Sequence, residues 1–337
     1  MRIGMRESSH FKERREVDMK DQILHVGFDG AARFVGEFCA GKQIVLVTDG
    51  QAYSLSGAAN FFDPLLPGAK RLVVKTANPK VNEVQDLLTE MEYSRDLAFI
   101  AVGGGTSTDT AKLLNFAIST RSTIRELMSK KECPELMPFL AVPTTAGTGA
   151  EATRFAVCYD GETKHSIDFP EIRPSHVLVL PELTASLPPY QKASTNFDAY
   201  AQAVESLWAR GATEESKSYA NRAFELMKAD NWPEASYWAG RAIDISRTTA
   251  AHAFSYYLTS HYGIPHGHAV YMVFPYICRN NGRKEWIKVV PELKSMRDFA
   301  GERGIGWNDL IEELFAHVNL KRLGNNPVEV KKESFYE

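Results

Sequence analysis

The chain has 337 residues, 44% apolar and 24% charged, with a formal net charge of −3. That composition fits a globular protein with room for one large domain or two ordinary ones. The small negative charge supplies no general attraction to nucleic acid or to an anionic membrane.

No apolar run reaches membrane-spanning length, and the opening MRIGMRESSHFKERREVDMKD is too polar for a signal peptide. Cys39, Cys133, Cys158 and Cys278 are scattered without C-x-x-C spacing, which predicts reduced structural thiols in a cytoplasmic protein. After the charged start the chain turns apolar around 23–28, and a helix is expected over 31–39. Residues 43–48 (QIVLVT) read as a buried strand ending at Asp49-Gly50. Further strands are expected at 71–75 and 97–102, with helices at 56–66 and 81–93 between them. Strands alternating with helices predict a mostly parallel sheet covered on both faces, an α/β Rossmann-like arrangement.

The run LAFIAV leads into Gly103-Gly104-Gly105-Thr106-Ser107-Thr108-Asp109, and then into the helical pattern TAKLLNFAI. A strand, a glycine turn and a helix start can cradle phosphate, because the backbone approaches closely and the free amides favour an anion. The spacing is not G-x-G-x-x-G and no Walker lysine follows, so a plain tight turn is the alternative. After a strand at 138–142 comes a second loop of small and hydroxyl residues, PTTAGTGAEAT (143–153). It too can meet a ligand backbone to backbone, or be a plain surface loop; two such loops after adjacent strands favour a nucleotide. Strand patterns at 155–159, 164–168 and 176–180, with a turn at Asp160-Gly161, complete this half.

Past Leu187-Pro188-Pro189, strand signals nearly vanish. Helices are expected at 190–209, 213–229, 232–262, 268–279, 285–303 and 307–321. A boundary near 185 separates an α/β dinucleotide-binding domain (1–185) from an all-α metal- and substrate-binding domain (186–337). Four of the nine histidines, His252, His261, His266 and His268, fall within 248–275. Gly263 and Pro265 mark a helix end and a turn, placing His252 inside one helix and His266 at the mouth of the next. Two imidazoles from facing helices can meet at one divalent metal. Taken singly, each reads as an ordinary interior or surface histidine; their clustering, with the partner segment described below, favours the metal.

The motifs GGGTSTDTAK, PTTAGTGAEAT, LPPYQKASTNFDAYAQAVES and HAFSYYLTSHYGIPHG, spread over about 40–280, together resemble the iron-containing (group III) alcohol dehydrogenases. The resemblance implies the fold shared with glycerol dehydrogenase and dehydroquinate synthase, with NAD(P) in the cleft between two domains. It implies that Gly104, Gly105 and Thr106 hold the pyrophosphate, that Asp109 supports the turn, and that Thr144, Thr145, Thr148 and Thr153 line the cofactor. Asp49 matches the acid that meets the adenosine ribose, which favours NAD(H) over NADP(H); a turn residue before Gly50 is the alternative.

The family's metal ligands are an Asp and three His. Asp198, His252 and His266 match three of them, and Gln202 stands where the remaining His belongs. Gln202 either ligates through its oxygen or leaves three protein ligands and more water, with iron or zinc the leading metals and manganese or nickel open. A branch with Gln at this position fits: FDAYAQAVES, the histidine segment and RLGNNPVEV resemble the phosphonoacetaldehyde reductases of phosphonate biosynthesis. The stretch 281–295 is short for the family.

The metal would polarise an aldehyde carbonyl and NADH would deliver hydride. Tyr256 is a candidate proton relay, with a core aromatic beside Tyr257 as the alternative. A phosphonate needs cations, and Lys164, Arg247 and His268 are the candidates, with Arg154 a weaker fourth; Arg247 is expected on the same helix as His252. The competing readings are another small-aldehyde or polyol dehydrogenase, a dehydroquinate synthase-like cyclase (His266–Val270 resembles its HGEAV), and a metal-free nucleotide-binding protein. The partners expected are a small aldehyde or alcohol and a second copy of the chain.

Overall fold

The most apolar runs of the sequence become the strands of one sheet. The computed structural model describes residues 22–161 and 163–336, so the opening stretch read above lies outside it. In the first half, β1 (Ile23–Val26), α1 (Ala31–Cys39), β2 (Gln43–Thr48), α2 (Gly50–Leu55), α3 (Ala58–Leu65), β3 (Lys70–Val73) and α4 (Val81–Thr89) come first. Then follow β4 (Leu97–Gly103), α5 (Gly105–Thr120), α6 (Ile124–Leu127), β5 (Phe139–Pro143), β6 (Phe155–Asp160), β7 (Thr163–Asp168) and β8 (His176–Val179).

Six strands pair in the order β1-β8-β5-β4-β2-β3, all parallel. β4 is buried at all seven positions, as a strand covered on both faces must be. Thr48 of β2 lies beside Val102 of β4, and Gly103 beside Pro143 of β5. Asp49, the glycine turn and the second loop therefore open at the same carboxyl edge, where parallel sheets bind their ligands. β6 and β7 form a separate antiparallel hairpin.

The second half is helical: α7 (Pro189–Trp208), α8 (Glu214–Lys228), α9 (Trp232–Ser246), α10 (Ala250–Tyr262), α11 (His266–Asn280), α12 (Met296–Arg303), α13 (Trp307–Ala316) and α14 (Leu320–Leu323). It has its own apolar core, distinct from those on the two faces of the sheet. A smaller cluster, Val177 and Val179 against Tyr237 of α9, joins the halves. No helix among the described residues is long and apolar enough to cross a membrane, and the four cysteines are free.

Four expected elements differ. The helix expected over 232–262 is two, broken at Arg247, whose φ is 64°. Arg247 is thus not on the helix of His252. Asn325 holds the break, its Nδ2 donating to Ser246 O at 2.8 Å and to Thr248 O at 3.1 Å. The helix expected over 285–303 forms only at Met296–Arg303, capped by Ser295, because Pro291 interrupts the preceding stretch. The helix expected over 307–321 stops at Ala316, and Asn319 caps a separate turn. The helix expected over 56–66 is preceded by a further one, α2, begun by Asp49.

Candidate active site

Helix α7 presents Asp198, Gln202 and Glu205 at i, i+4 and i+7, one above another on a single face. Helix α10 brings His252 to that face and ends at Gly263 in the left-handed region. After a short turn, His266 is the first residue of α11. Its neighbour Gly267 lets the helices touch: a Cβ there would fall 2.0 Å from Ser194 O and 3.1 Å from the Asp198 Cβ. Close backbone approach, possible only for glycine, is what delivers His266 to Asp198.

His252 Nε2 lies 3.1 Å from Asp198 Oδ1, and His266 Nε2 lies 3.9 Å from the same oxygen. Donor atoms of Asp198, His252 and His266 all fall within 4.8 Å of one another. Glu205, which sequence reasoning missed, stands behind: it accepts from His252 Nδ1, from Thr249 N (3.1 Å) and Oγ1 (2.7 Å), and from Ala251 N (2.9 Å). A carboxylate on the far nitrogen of a ligating imidazole fixes its tautomer and raises its basicity. The signal was present, since Glu205 repeats the helical spacing of Asp198.

Burial pushes the His252 pKa down, but Glu205 and Asp198 outweigh it and raise it to about 10. His266 is pushed down to about 3, chiefly by burial, so its ring is neutral and free to ligate. Burial opposes ionisation of Asp198, yet the two histidines hold its pKa below the usual range. Gln202 donates from Nε2 to Thr148 O at 3.2 Å, and its Oε1 is buried without a partner. A carboxylate, two imidazoles and an orphaned amide oxygen suit a divalent transition metal.

Gly105, Thr106, Asp109, Thr148 and Thr153 line the same cleft of about 330 Å³ as Asp198, Gln202, His252 and His266. The two loops pack on each other: a Cβ on Gly105 would meet Thr148 Oγ1 at 2.9 Å, and one on Gly104 would meet Thr145 at 3.3 Å. Thr144 is buried, and its N–H donates to Gly103 O at 3.0 Å. Thr153 Oγ1 donates to Ala150 O at 3.4 Å and accepts from Lys112 at 3.4 Å. Asp109 bonds not the glycine turn but Val157 N of β6, at 3.1 Å, tying α5 to the hairpin. Asp49 Oδ1 accepts from Tyr53 N at 3.0 Å, so one of its oxygens caps α2. A larger hollow, about 600 Å³, opens at the other edge of the sheet beside Lys42, Lys70 and Glu90, away from all of these groups.

The cations divide. Lys164 lines the cleft with Nζ 3.5 Å from the Tyr256 ring centroid, and Tyr256 stacks on His266. Tyr256 thus faces the cleft, while Tyr257 is buried in the helical core. Arg247 also lines it, with Nη2 3.1 Å from Asp168 and Nη1 donating to Asp244 O at 2.7 Å. Arg154 is drawn to Asp168 instead, at 2.8 Å. His268 is a correction: it lies outside the cleft, with Nδ1 2.8 Å from Tyr190 Oη and Nε2 2.9 Å from Lys294 O. Burial lowers its pKa as well, so it brings no charge to a phosphonate. Arg322, from α14 and the first residue of RLGNNPVEV, completes the wall and was not among the expected cations.

A parallel α/β sheet joined to a helical bundle, with an Asp/His cluster facing a glycine turn across a cleft, defines a dinucleotide- and metal-binding architecture. Residues 26–181 match the family described as iron-containing alcohol dehydrogenase, and residues 216–318 match its C-terminal region. The chain belongs to the iron-containing alcohol dehydrogenase family.

Among its relatives is the phosphonoacetaldehyde reductase of Streptomyces viridochromogenes, 32% identical over 66% of this chain and 63% of that one. The chain thus spans somewhat under two thirds of that relative's length. The choline dehydrogenase of Bacillus subtilis is 27% identical over 85% of this chain and 80% of its own. The sulfoacetaldehyde reductase of Bifidobacterium kashiwanohense, solved with NAD+, superposes with a TM-score of 0.76 at 26% identity, covering 93% of this chain and 95% of that one.

Proposed function

We propose that the protein is a metal-dependent, NAD(H)-linked reductase of a small aldehyde with an anionic tail, phosphonoacetaldehyde being the substrate that fits best and 2-hydroxyethylphosphonate the product. The observation that carries this is the cationic wall, Lys164 and Arg247, lining the same cleft as Asp198, His252 and His266. Relatives named for phosphonoacetaldehyde and sulfoacetaldehyde point the same way. Such a wall would repel the quaternary ammonium of choline.

When bound, a divalent ion, iron or zinc, at Asp198, His252 and His266 supplies Lewis-acid polarisation of a carbonyl, and NADH along the glycine turn supplies hydride. The chain's own groups do the rest. Glu205 keeps the His252 ring oriented, and Gln202 offers its free Oε1 as a further donor. Lys164 and Arg247 hold the anionic tail so that the aldehyde end points at the histidines. Tyr256 Oη is the group proposed to pass a proton to the reduced oxygen: burial raises its pKa, but Lys164 and the other charges nearby bring it below the usual tyrosine range. Asp49 at the end of β2 disfavours a 2′-phosphate and so favours NAD(H). A cytoplasmic homodimer belongs to the same proposal.

The test is NADH consumption with phosphonoacetaldehyde and with propionaldehyde, before and after chelation. Turnover should vanish on chelation, return with iron(II) or zinc, and favour phosphonoacetaldehyde. Arg247→Ala should raise KM for phosphonoacetaldehyde about tenfold, the loss of one charge-assisted contact, and leave propionaldehyde within about threefold. Equal effects on both aldehydes would remove the phosphonate reading.

A further inference from the structure

Arg322 enters the cleft from a segment that carries none of the other candidate residues. Its turn, α14, is tied to the helix of His252: Asn319 Oδ1 accepts from Arg322 N at 2.9 Å, and Asn319 N donates to Ala253 O at 3.3 Å. The Arg322 guanidinium lies 5.2 Å from the Phe155 ring centroid, and Arg247 lies over the same ring at 4.2 Å. The two differ in what else they hold. Arg247 is occupied by Asp168 and the Asp244 carbonyl, and Asp168 is shared again with Arg154. Among the described residues, no carboxylate or hydrogen-bond acceptor meets the Arg322 side chain, although the residue is partly buried. A guanidinium carries five donors in a rigid fork, and leaving them unmet in a cleft is unfavourable unless an anion arrives.

We propose that Arg322 is the specificity-determining residue of this cleft, reading the tetrahedral anionic head of the substrate through two parallel N–H···O bonds. Arg247 adds a second, partly neutralised charge whose position Asp168 fixes. The proposal rests on the aldehyde-reductase reading above and deepens it: the fork matches two oxygens of a phosphonate, and one open guanidinium sets which aldehydes are taken.

The test uses Arg322→Gln and Arg322→Lys in the metal-loaded enzyme. Kinetic constants would be measured for phosphonoacetaldehyde, propionaldehyde and NADH, together with competitive inhibition by methylphosphonate. Arg322→Gln should raise KM for phosphonoacetaldehyde and Ki for methylphosphonate about 10- to 100-fold, with kcat within about threefold. NADH constants should not move, and those for propionaldehyde should stay within about threefold, the margin left by the part Arg322 plays in lowering the Tyr256 pKa. Arg322→Lys should recover only part of the loss, because an ammonium has no fork. It also keeps a stem over Phe155, so it carries the test if the Gln variant unfolds early. An unchanged phosphonoacetaldehyde KM, an equal loss for propionaldehyde, or a loss confined to NADH would overturn the proposal. Should the wild type show neither a preference for phosphonoacetaldehyde nor competition by methylphosphonate, the substrate reading itself falls; a preference that survives in Arg322→Gln defeats Arg322 alone.

Discussion

Replacing Glu205 by Gln isolates the contribution of a single buried carboxylate to the metal cluster. Its two oxygens take four donors: Oε2 serves His252 Nδ1 and Thr249 N, and Oε1 serves Thr249 Oγ1 and Ala251 N. Glutamine keeps one oxygen. The least costly arrangement leaves that oxygen with His252 and Thr249 N and turns the NH2 group toward the other pair. The Thr249 hydroxyl can rotate to accept from it, so Ala251 N and the hydroxyl hydrogen lose the carboxylate oxygen. Each buried donor left unmet costs about 1–3 kcal/mol. The neutral amide also ceases to support the His252 ring, and loss of such a partner weakens metal affinity about 10- to 100-fold. Chelator competition with zinc would give the affinity, and denaturant unfolding of the metal-free protein would give the stability. If affinity stayed within about threefold of wild type while stability fell, Glu205 would be a helix-packing residue and the argument for its action on His252 would be refuted.

Two further outcomes are expected. Gly267→Ala places a Cβ 2.0 Å from Ser194 O, so α11 must retreat by roughly 1.4 Å to reach an ordinary contact. Metal affinity should then fall about 100-fold or more as His266 leaves Asp198, whereas Gly301→Ala, in open space on α12, should change it little; chelator competition checks both. Burial raises the pKa of Glu151 to about 7. A raised carboxyl pKa contributes stability below its unfolded value that is lost as pH climbs through about 7. The Glu151 contribution should therefore fall away between about pH 4.5 and 7, and Glu151→Gln should be more stable than wild type at pH 8 by up to about 3 kcal/mol, with no advantage near pH 4. Urea unfolding across pH would show it, and parallel profiles for the two proteins would sink the assignment.

Much of the cleft was readable along the chain. The apolar runs at 43–48 and 97–102, the glycines after the second of them, and the break at Gly263 and Pro265 are local signals, and each formed the element expected of it. Glu205 was readable too, being on the helical repeat of Asp198. Arg247 was not: neither Gly nor Pro marks the break there. The helix ends because Asn325 binds the carbonyls on both sides of the turn and because Glu205 receives the first amides of α10.

From sequence alone came the alternation of strand and helix, the two small-residue loops and the pair of imidazoles, since periodicity and turn chemistry depend on residues within a turn or two of each other; Asp198 joined them only through the family resemblance. Which cations face the cleft was decided in three dimensions. His268 is taken by Tyr190 and Lys294, Arg154 by Asp168, and Arg322 arrives from far along the chain. The reason is physical: a polar side chain is free or spent according to what packs against it, and those neighbours come from elements whose meeting no local pattern records.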